Sequence, residues 1–507
     1  MVGVEMKRKK YNDNITISIK GFLICFLLII ISAFLLAFAH HLRTYFNATY
    51  LEQLLYNLFN TTTLDLVSLY KSIFTVTRDT LILICCFLVP LILSLVIDKE
   101  KKITIFGRIY QIFPIPFLKY STLLFVVSIL VIFFQLGVPN FIKNNCLKST
   151  LYEEHYIPYE EEKVTFPVEK QNLITIYVES FETSNFSVES GGSVKKSYAP
   201  NLEMLAKQNG SINFSNTEKL GGFKRTNGTD WTIAGMVAQT SGVPIYMKTK
   251  NKENHFLEGA VSLGEILKSN GYSNYLMIGS DAEFGERKQY FQEHGNYSVY
   301  DYYYAKENRD IPYDYYVWWG YEDSKLYEFS KSRLLKIASQ DEPFHFMMLT
   351  TDTHFFDGYL DESCPMVFDD QYANSFYCMD ILLYNFIEWL QEQDFYSNTT
   401  VLIVGDHLAM RNDFYKISKD YERTVFNLFL NSKITTEFEK NREFTAFDMF
   451  PTTLAALGVE IEGERLALGT NLFSGEKTLS EELGYEKFRQ EVQKSSKYYQ
   501  ENILKVK

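Results

Sequence analysis

The stretch Thr399-Thr400-Val401-Leu402-Ile403-Val404-Gly405-Asp406-His407 sets a carboxylate and an imidazole directly after an apolar, β-branched run. The run reads as a strand buried on both faces of a parallel sheet. Asp and His cannot extend such a strand cheaply, so they stand at its C-terminal edge, where open α/β sheets bind ligands. A carboxylate beside an imidazole there suits a metal or phosphate site. The competing reading is a turn with a capping Asp and an incidental His. Two more apolar runs repeat the pattern. Leu173 to Val178 ends on Glu179-Ser180, and Phe344 to Leu349 runs into Thr350-Thr351-Asp352-Thr353-His354. Each polar group alone reads equally well as a cap or loop residue. Together, Glu179, His354, Asp406 and His407 make an oxygen/nitrogen set suited to manganese, zinc or magnesium.

A nucleophile is the missing piece. Gly221-Gly222-Phe223-Lys224-Arg225-Thr226-Asn227-Gly228-Thr229-Asp230-Trp231-Thr232 is a Gly-rich loop leading into a helix start. Thr229 near the N-cap is explained equally by simple capping. A hydroxyl among the free N–H groups of a helix N-terminus is also well placed to receive a phosphoryl group. A bound metal would make it nucleophilic.

These groups need a scaffold, and strands alternate with helices from residue 171 onward. The expected helices cover Pro200–Gln208, Leu263–Ser269, Tyr377–Gln393 and Phe450–Leu457; further strands cover Tyr275–Ile278 and Thr424–Leu430. The fold class is α/β, a largely parallel sheet between helices. The catalytic domain is set at 171–475, with a helical tail at 476–507.

The N-terminal third is membrane. Gly21–Ala39, Thr80–Ile97 and Ser121–Gly137 are apolar and about long enough to cross a bilayer. Residues 1–140 form a membrane region with about three transmembrane helices, and 141–170 a linker. Lys99, Lys101, Lys102, Arg108 and Lys119 crowd the second connection. With the basic start at Met6 to Lys10 they place the chain after residue 140 on the extracytoplasmic side. Leu51 to Phe74 is amphipathic and fits an interfacial or re-entrant segment. A net charge of -12 argues against nucleic acid as a partner.

The Glu179 segment, Gly228 to Pro244 (WTIAGMVAQ), Thr351 onward (TDTHFFDGY) and Gly405 onward (GDHLAM) resemble the phosphoglycerol transferases, and more distantly the lipoteichoic acid synthases. These belong to the alkaline phosphatase/sulfatase superfamily. The resemblance implies a sulfatase-like extracytoplasmic domain on a multi-pass bacterial cell-membrane protein. It implies one divalent cation, manganese with magnesium or zinc as alternatives, held by Glu179, Thr229, Asp406 and His407. Thr229 is the expected nucleophile and Thr232 the fallback. His354 would contact the phosphate or protonate the leaving group. Arg287 matches a basic substrate-binding position, with a surface ion pair as its alternative. The implied reaction moves phosphoglycerol from phosphatidylglycerol to a glycan or polymer through a phosphothreonine-type intermediate.

A phosphoethanolamine transferase and a non-catalytic membrane-anchored binding protein are the rivals. The C/S-x-P-x-R motif of sulfatases is absent from the sequence. A two-metal site would need Asp352 or Asp281. Cys364 and Cys378 flank a loop just after His354, and two readings stand: a disulfide in an oxidising space, or Cys378 buried on its helix.

Overall fold

The structure is a computed structural model. It describes residues 19–45, 51, 55–56, 66–96, 102–105, 108–111 and 117–506, apart from 355, 412–413, 416 and 419. The basic start, Lys99, Lys101 and much of the amphipathic stretch lie outside the described residues. Two compact units emerge: Met1–Arg43 with Leu69–Leu136, and Thr44–Ser68 with Gly137–Lys507.

The first unit holds α1 (Ile19–Tyr45), α2 (Leu66–Val96) and α3 (Phe117–Gln135). Within them Gly21–Thr44, Ser72–Leu93 and Phe117–Gln135 are long and apolar enough to cross a membrane. Leu23, Leu81 and Leu123 stand exposed along these helices, as a lipid-facing surface requires. Lys102 and Arg108 fall on a two-stranded antiparallel hairpin.

The second unit is built on a seven-stranded sheet. Its strands are β1 (Asn172–Val178), β2 (Gly222–Phe223), β3 (Ser273–Ile278), β4 (Ser298–Tyr300), β5 (Phe344–Leu349), β6 (Thr399–Gly405) and β7 (Val425–Leu430). They lie in the order β2-β7-β6-β1-β5-β3-β4. The five from β6 to β4 run parallel; β7 is antiparallel to β6 and to β2. Alternate residues enter two separate cores. Leu173, Tyr177, Leu349 and Val404 join one, while Ile174, Val178, Met348 and Ile403 join the other. That is why these strands carry continuous apolar runs.

Helices cover the sheet: α4 (Pro200–Leu205), α5 (Thr232–Ser241), α6 (Leu263–Ser269), α7 (Asp323–Ala338), α8 (Gln371–Gln391) and α9 (Met449–Ala456). α6 begins with a capping box between Ser262 and Glu265. Cys378 on α8 is joined by a disulfide to Cys364. The segment read as a linker contains helices at Val138–Cys146 and Leu151–His155, with Leu151 and Tyr152 buried. The C-terminal segment also packs down, burying Phe488, Val492, Tyr499 and Ile503.

Candidate active site

Sheet register brings the two carboxylates together. Val178 of β1 pairs with Gly405 of β6, so the residues that follow, Glu179 and Asp406, leave the sheet side by side. Thr350, at the end of β5, accepts the Glu179 N–H through its hydroxyl at 3.0 Å. Thr353 donates to the Glu179 carbonyl at 2.6 Å. Ser180 then takes a positive φ of 57°, a strained backbone for a residue with a side chain. The turn aims its N–H at Asp406 Oδ1, at 2.8 Å, and its hydroxyl at Glu179 Oε1, also at 2.8 Å.

His407 donates its backbone N–H to Asp406 Oδ1 at 2.8 Å. Its Nδ1 lies 2.8 Å from the Leu408 carbonyl. A carbonyl only accepts, so the proton sits on Nδ1 and the Nε2 lone pair faces the carboxylates. Nε2 is 3.4 Å from Asp406 Oδ2 and 3.5 Å from Glu179 Oε1. All three side chains are buried.

α5 delivers a hydroxyl to this cluster. Thr232 is its first residue, after the N-cap Trp231. Thr232 Oγ1 stands 3.3 Å from Glu179 Oε2 and 3.5 Å from His407 Nε2. The helix approaches so closely because residue 235 is glycine: a Cβ there would meet the Asp406 carbonyl oxygen at 2.0 Å. Gln239, one turn further, donates to the Gly405 carbonyl at 3.0 Å.

Thr229 is turned elsewhere. Its hydroxyl donates to the Thr226 carbonyl at 2.8 Å and accepts the Thr226 N–H at 3.3 Å. The loop hydrogen bonds that hold Thr229 occupy the hydroxyl expected to be the nucleophile, while the fallback, Thr232, joins the cluster.

The electrostatics are those of excess negative charge. Burial pushes the Asp406 carboxyl up to about 8, and the adjacent Glu179 adds to the effect. Burial also opposes ionisation of Glu179, but His354 and His407 outweigh it and hold that carboxyl below its ordinary range. Burial disfavours the His407 cation, yet Asp406 and Glu179 raise its proton affinity on balance. Asp406 Oδ2 is buried and accepts no hydrogen bond. An orphaned carboxylate oxygen beside an imidazole lone pair, a second carboxylate and a hydroxyl, with no thiolate, is a donor set that fits a divalent cation. Ligand atoms of Glu179, Asp406 and His407 lie within 4.8 Å of one another, the one such grouping among the described residues. Asp352 and Asp281 are outside it. Asp352 instead accepts the Asp323 N–H at 3.0 Å, and Asp281 accepts the Glu283 N–H at 2.8 Å.

His354 follows β5 and bears electrostatically on Glu179. The Trp319 ring packs on its imidazole with centroids 4.4 Å apart. Arg287 is buried rather than engaged in a surface ion pair. It donates to the Phe284 carbonyl at 3.0 Å, Ser280 Oγ at 3.2 Å and the Asp281 carbonyl at 2.6 Å. Burial lowers its pKa, opposed by Glu179, Asp281, Asp301 and Asp406. Sequence reasoning missed Ser180, Gln239 and Trp319. The Glu179-Ser180 and WTIAGMVAQ stretches carried the first two, and the Trp318-Trp319-Gly320 run the third.

Residues 171–459, more than half of the chain, match the protein family described as Sulfatase. The chain belongs to the sulfatase family. This sulfatase-family chain is 30% identical to phosphoglycerol transferase I of Escherichia fergusonii over 335 residues, covering 63% of this chain and 41% of that protein. It is 28% identical to phosphoglycerol transferase I of Escherichia coli K12 over 333 residues, with the same coverage of 63% and 41%. The match thus spans about two-fifths of the length of these relatives. Among solved structures, the lipoteichoic acid synthase LtaP from Listeria monocytogenes is 17% identical. Its TM-score is 0.47, with 61% of this chain and 77% of that one covered. The lipooligosaccharide phosphoethanolamine transferase EptA from Neisseria meningitidis is 14% identical, with a TM-score of 0.49 and coverage of 92% and 89%.

Proposed function

We propose that this chain is a membrane-bound transferase that moves a phosphoglycerol group from phosphatidylglycerol to an extracytoplasmic glycan or polymer, with Thr232 as nucleophile. The observation that carries the reading is the Thr232 hydroxyl at the start of α5, 3.3 Å from Glu179 and 3.5 Å from His407. Similarity to phosphoglycerol transferase I supports the choice of group. Three apolar helices suit a lipid donor. The Cys364–Cys378 disulfide suits an extracytoplasmic domain.

Glu179, Asp406, His407 and Thr232 would hold the cation, manganese in this reading. When bound, it would acidify a hydroxyl and draw charge from phosphoryl oxygens. The N-terminus of α5 presents its free N–H groups to the incoming phosphodiester. Thr232 passes its proton to the Glu179 carboxylate, 3.3 Å away, and attacks phosphorus. The P–O bond to diacylglycerol breaks, and His354 supplies the proton with which diacylglycerol departs. Glycerophosphate remains on Thr232 until an acceptor hydroxyl attacks phosphorus, giving its proton to His354; the P–O bond to Thr232 breaks and Glu179 returns the proton to the Thr232 oxygen. Arg287 stabilises negative charge on the transferred group through its field. Diacylglycerol release from vesicles of phosphatidylglycerol or phosphatidylethanolamine tests the reading. Release from phosphatidylglycerol, lost in Thr232→Ala, supports it; release from phosphatidylethanolamine alone refutes the donor.

A further inference from the structure

Tyr56 comes from the stretch between α1 and α2 in sequence, yet it is fully buried in the catalytic unit. Its ring packs on Trp231 with centroids 5.2 Å apart. Trp231 is the N-cap of α5, the residue before Thr232. On its other side the Tyr56 hydroxyl is 3.1 Å from the Gly285 carbonyl and 3.2 Å from Glu286 Oε2. Those two residues immediately precede Arg287.

The Gly285–Glu286 backbone needs such a hold. Both residues have positive φ, 66° and 65°. Glycine tolerates this; glutamate does not without support. The Glu286 carboxylate is the anchor, gripped by Lys250 at 2.6 Å, by the Thr249 hydroxyl at 3.1 Å and by Tyr56. Gly285 in turn faces Ile233 of α5, so near that a Cβ added to the glycine would lie 3.6 Å from Ile233 Cγ2. One aromatic side chain therefore wedges between the loop that carries Arg287 and the helix that carries Thr232. Two apolar helices separate Tyr56 from the domain that starts at residue 137. If both cross the bilayer, Tyr56 and the domain emerge on the same side, whichever way the chain is oriented.

We propose that Tyr56 is a positioning residue for the transfer reaction: a segment between two membrane helices sets the spacing of Arg287 and Thr232, through Trp231 and Glu286. The inference rests on the proposed roles of those two residues. It makes the chain segment around Tyr56, which falls between two apolar helices in sequence, part of the active-site architecture.

The test uses the full-length chain reconstituted in phosphatidylglycerol vesicles with manganese. Tyr56→Ala lowers kcat per folded molecule at least tenfold, with KM and manganese affinity within twofold of the parent. Tyr56→Phe, which keeps the ring on Trp231, loses about threefold. Glu286→Ala loses at least as much, since it also removes the partner of Lys250 and Thr249, and the double variant Tyr56→Phe/Glu286→Ala loses less than the product of the two single losses, because the two side chains share one hydrogen bond. Hydrogen exchange gives a readout independent of activity. Amides of residues 231–233 and 284–288 exchange at least tenfold faster in both Tyr56 variants, while β1 and β6 are unchanged. Unchanged exchange there, or kcat within twofold of the parent in Tyr56→Ala, overturns the proposal. Additive losses in the double variant overturn it as well. Where Tyr56→Ala fails to fold, Tyr56→Phe and the double variant decide. A chain inactive on phosphatidylglycerol would sink the functional reading alone, and the exchange data would still decide the role of Tyr56.

Discussion

Thr232 Oγ1 lies 3.3 Å from Glu179 Oε2. The contact joins the first residue of α5 to the residue just past β1, more than fifty positions earlier in the chain. It exists because β1 and β6 end in register and because Gly235 lets the helix pass over the Asp406 carbonyl. Thr229, three residues earlier, spends its hydroxyl on its own loop.

Cation binding follows from the orphaned Asp406 oxygen and its neighbours. Manganese raises the melting temperature of the purified chain, and a chelator reverses the rise. At a hundredfold excess over Kd the gain is about 2.7 kcal/mol. Glu179→Gln and Asp406→Asn abolish the response, as calorimetric titration would show. An undiminished response in both variants would place the cation elsewhere.

Stability declines as pH rises through neutrality. Asp323 and Asp352 face one another in the β5–α7 region, and burial pushes Asp323 up to about 7. Burial, with the Asp323 charge second, raises Asp352 well above the ordinary range. In the unfolded chain both titrate near the ordinary carboxyl value, about 3.9. Raised folded values mean the native state binds protons more tightly. The resulting stability is fully present below about pH 4 and lost as pH climbs through 7. Melting temperatures between pH 5 and 8 show the fall, and Asp352→Asn makes it shallower; Asp406, pushed up by burial to about 8, and Asp380 and Asp448, pushed up to about 7, supply the rest.

Gly235→Ala tests the close approach of α5. The added Cβ meets backbone, not a movable side chain, so the helix shifts and carries Thr232 with it. Turnover drops on the order of 100-fold. A variant with near-normal turnover would show that the site tolerates the shift.

Reducing Cys364–Cys378, or replacing both by serine, lowers stability by about 3 kcal/mol, the value for a closed loop of this length. Denaturant titration measures it. Diacylglycerol release at 25 °C survives, because neither cysteine touches the cation cluster.

Much of this was legible in the sequence. Apolar runs ending in polar residues located Glu179, His354 and Asp406-His407, since strands buried on both faces cannot hide a carboxylate in mid-strand. α6 was readable from its Asn270-Gly271 stop, and its bounds agree with the structure. The antiparallel direction of β7 was not readable, because a buried strand looks alike in either direction. The choice between Thr229 and Thr232 was not readable either. Both sit near one helix start, and only the hydrogen bonds of the Thr226–Thr229 loop separate them. Tyr56 packs on Trp231 across a long sequence separation, for which a single chain carries no signal.

The most direct test is peptide mapping of the full-length chain by mass spectrometry, after incubation with phosphatidylglycerol vesicles and manganese and rapid acid quench. The account predicts a glycerophosphate adduct on Thr232, absent in Thr232→Ala and retained in Thr229→Ala. An adduct on Thr229, persisting in Thr232→Ala, would contradict it.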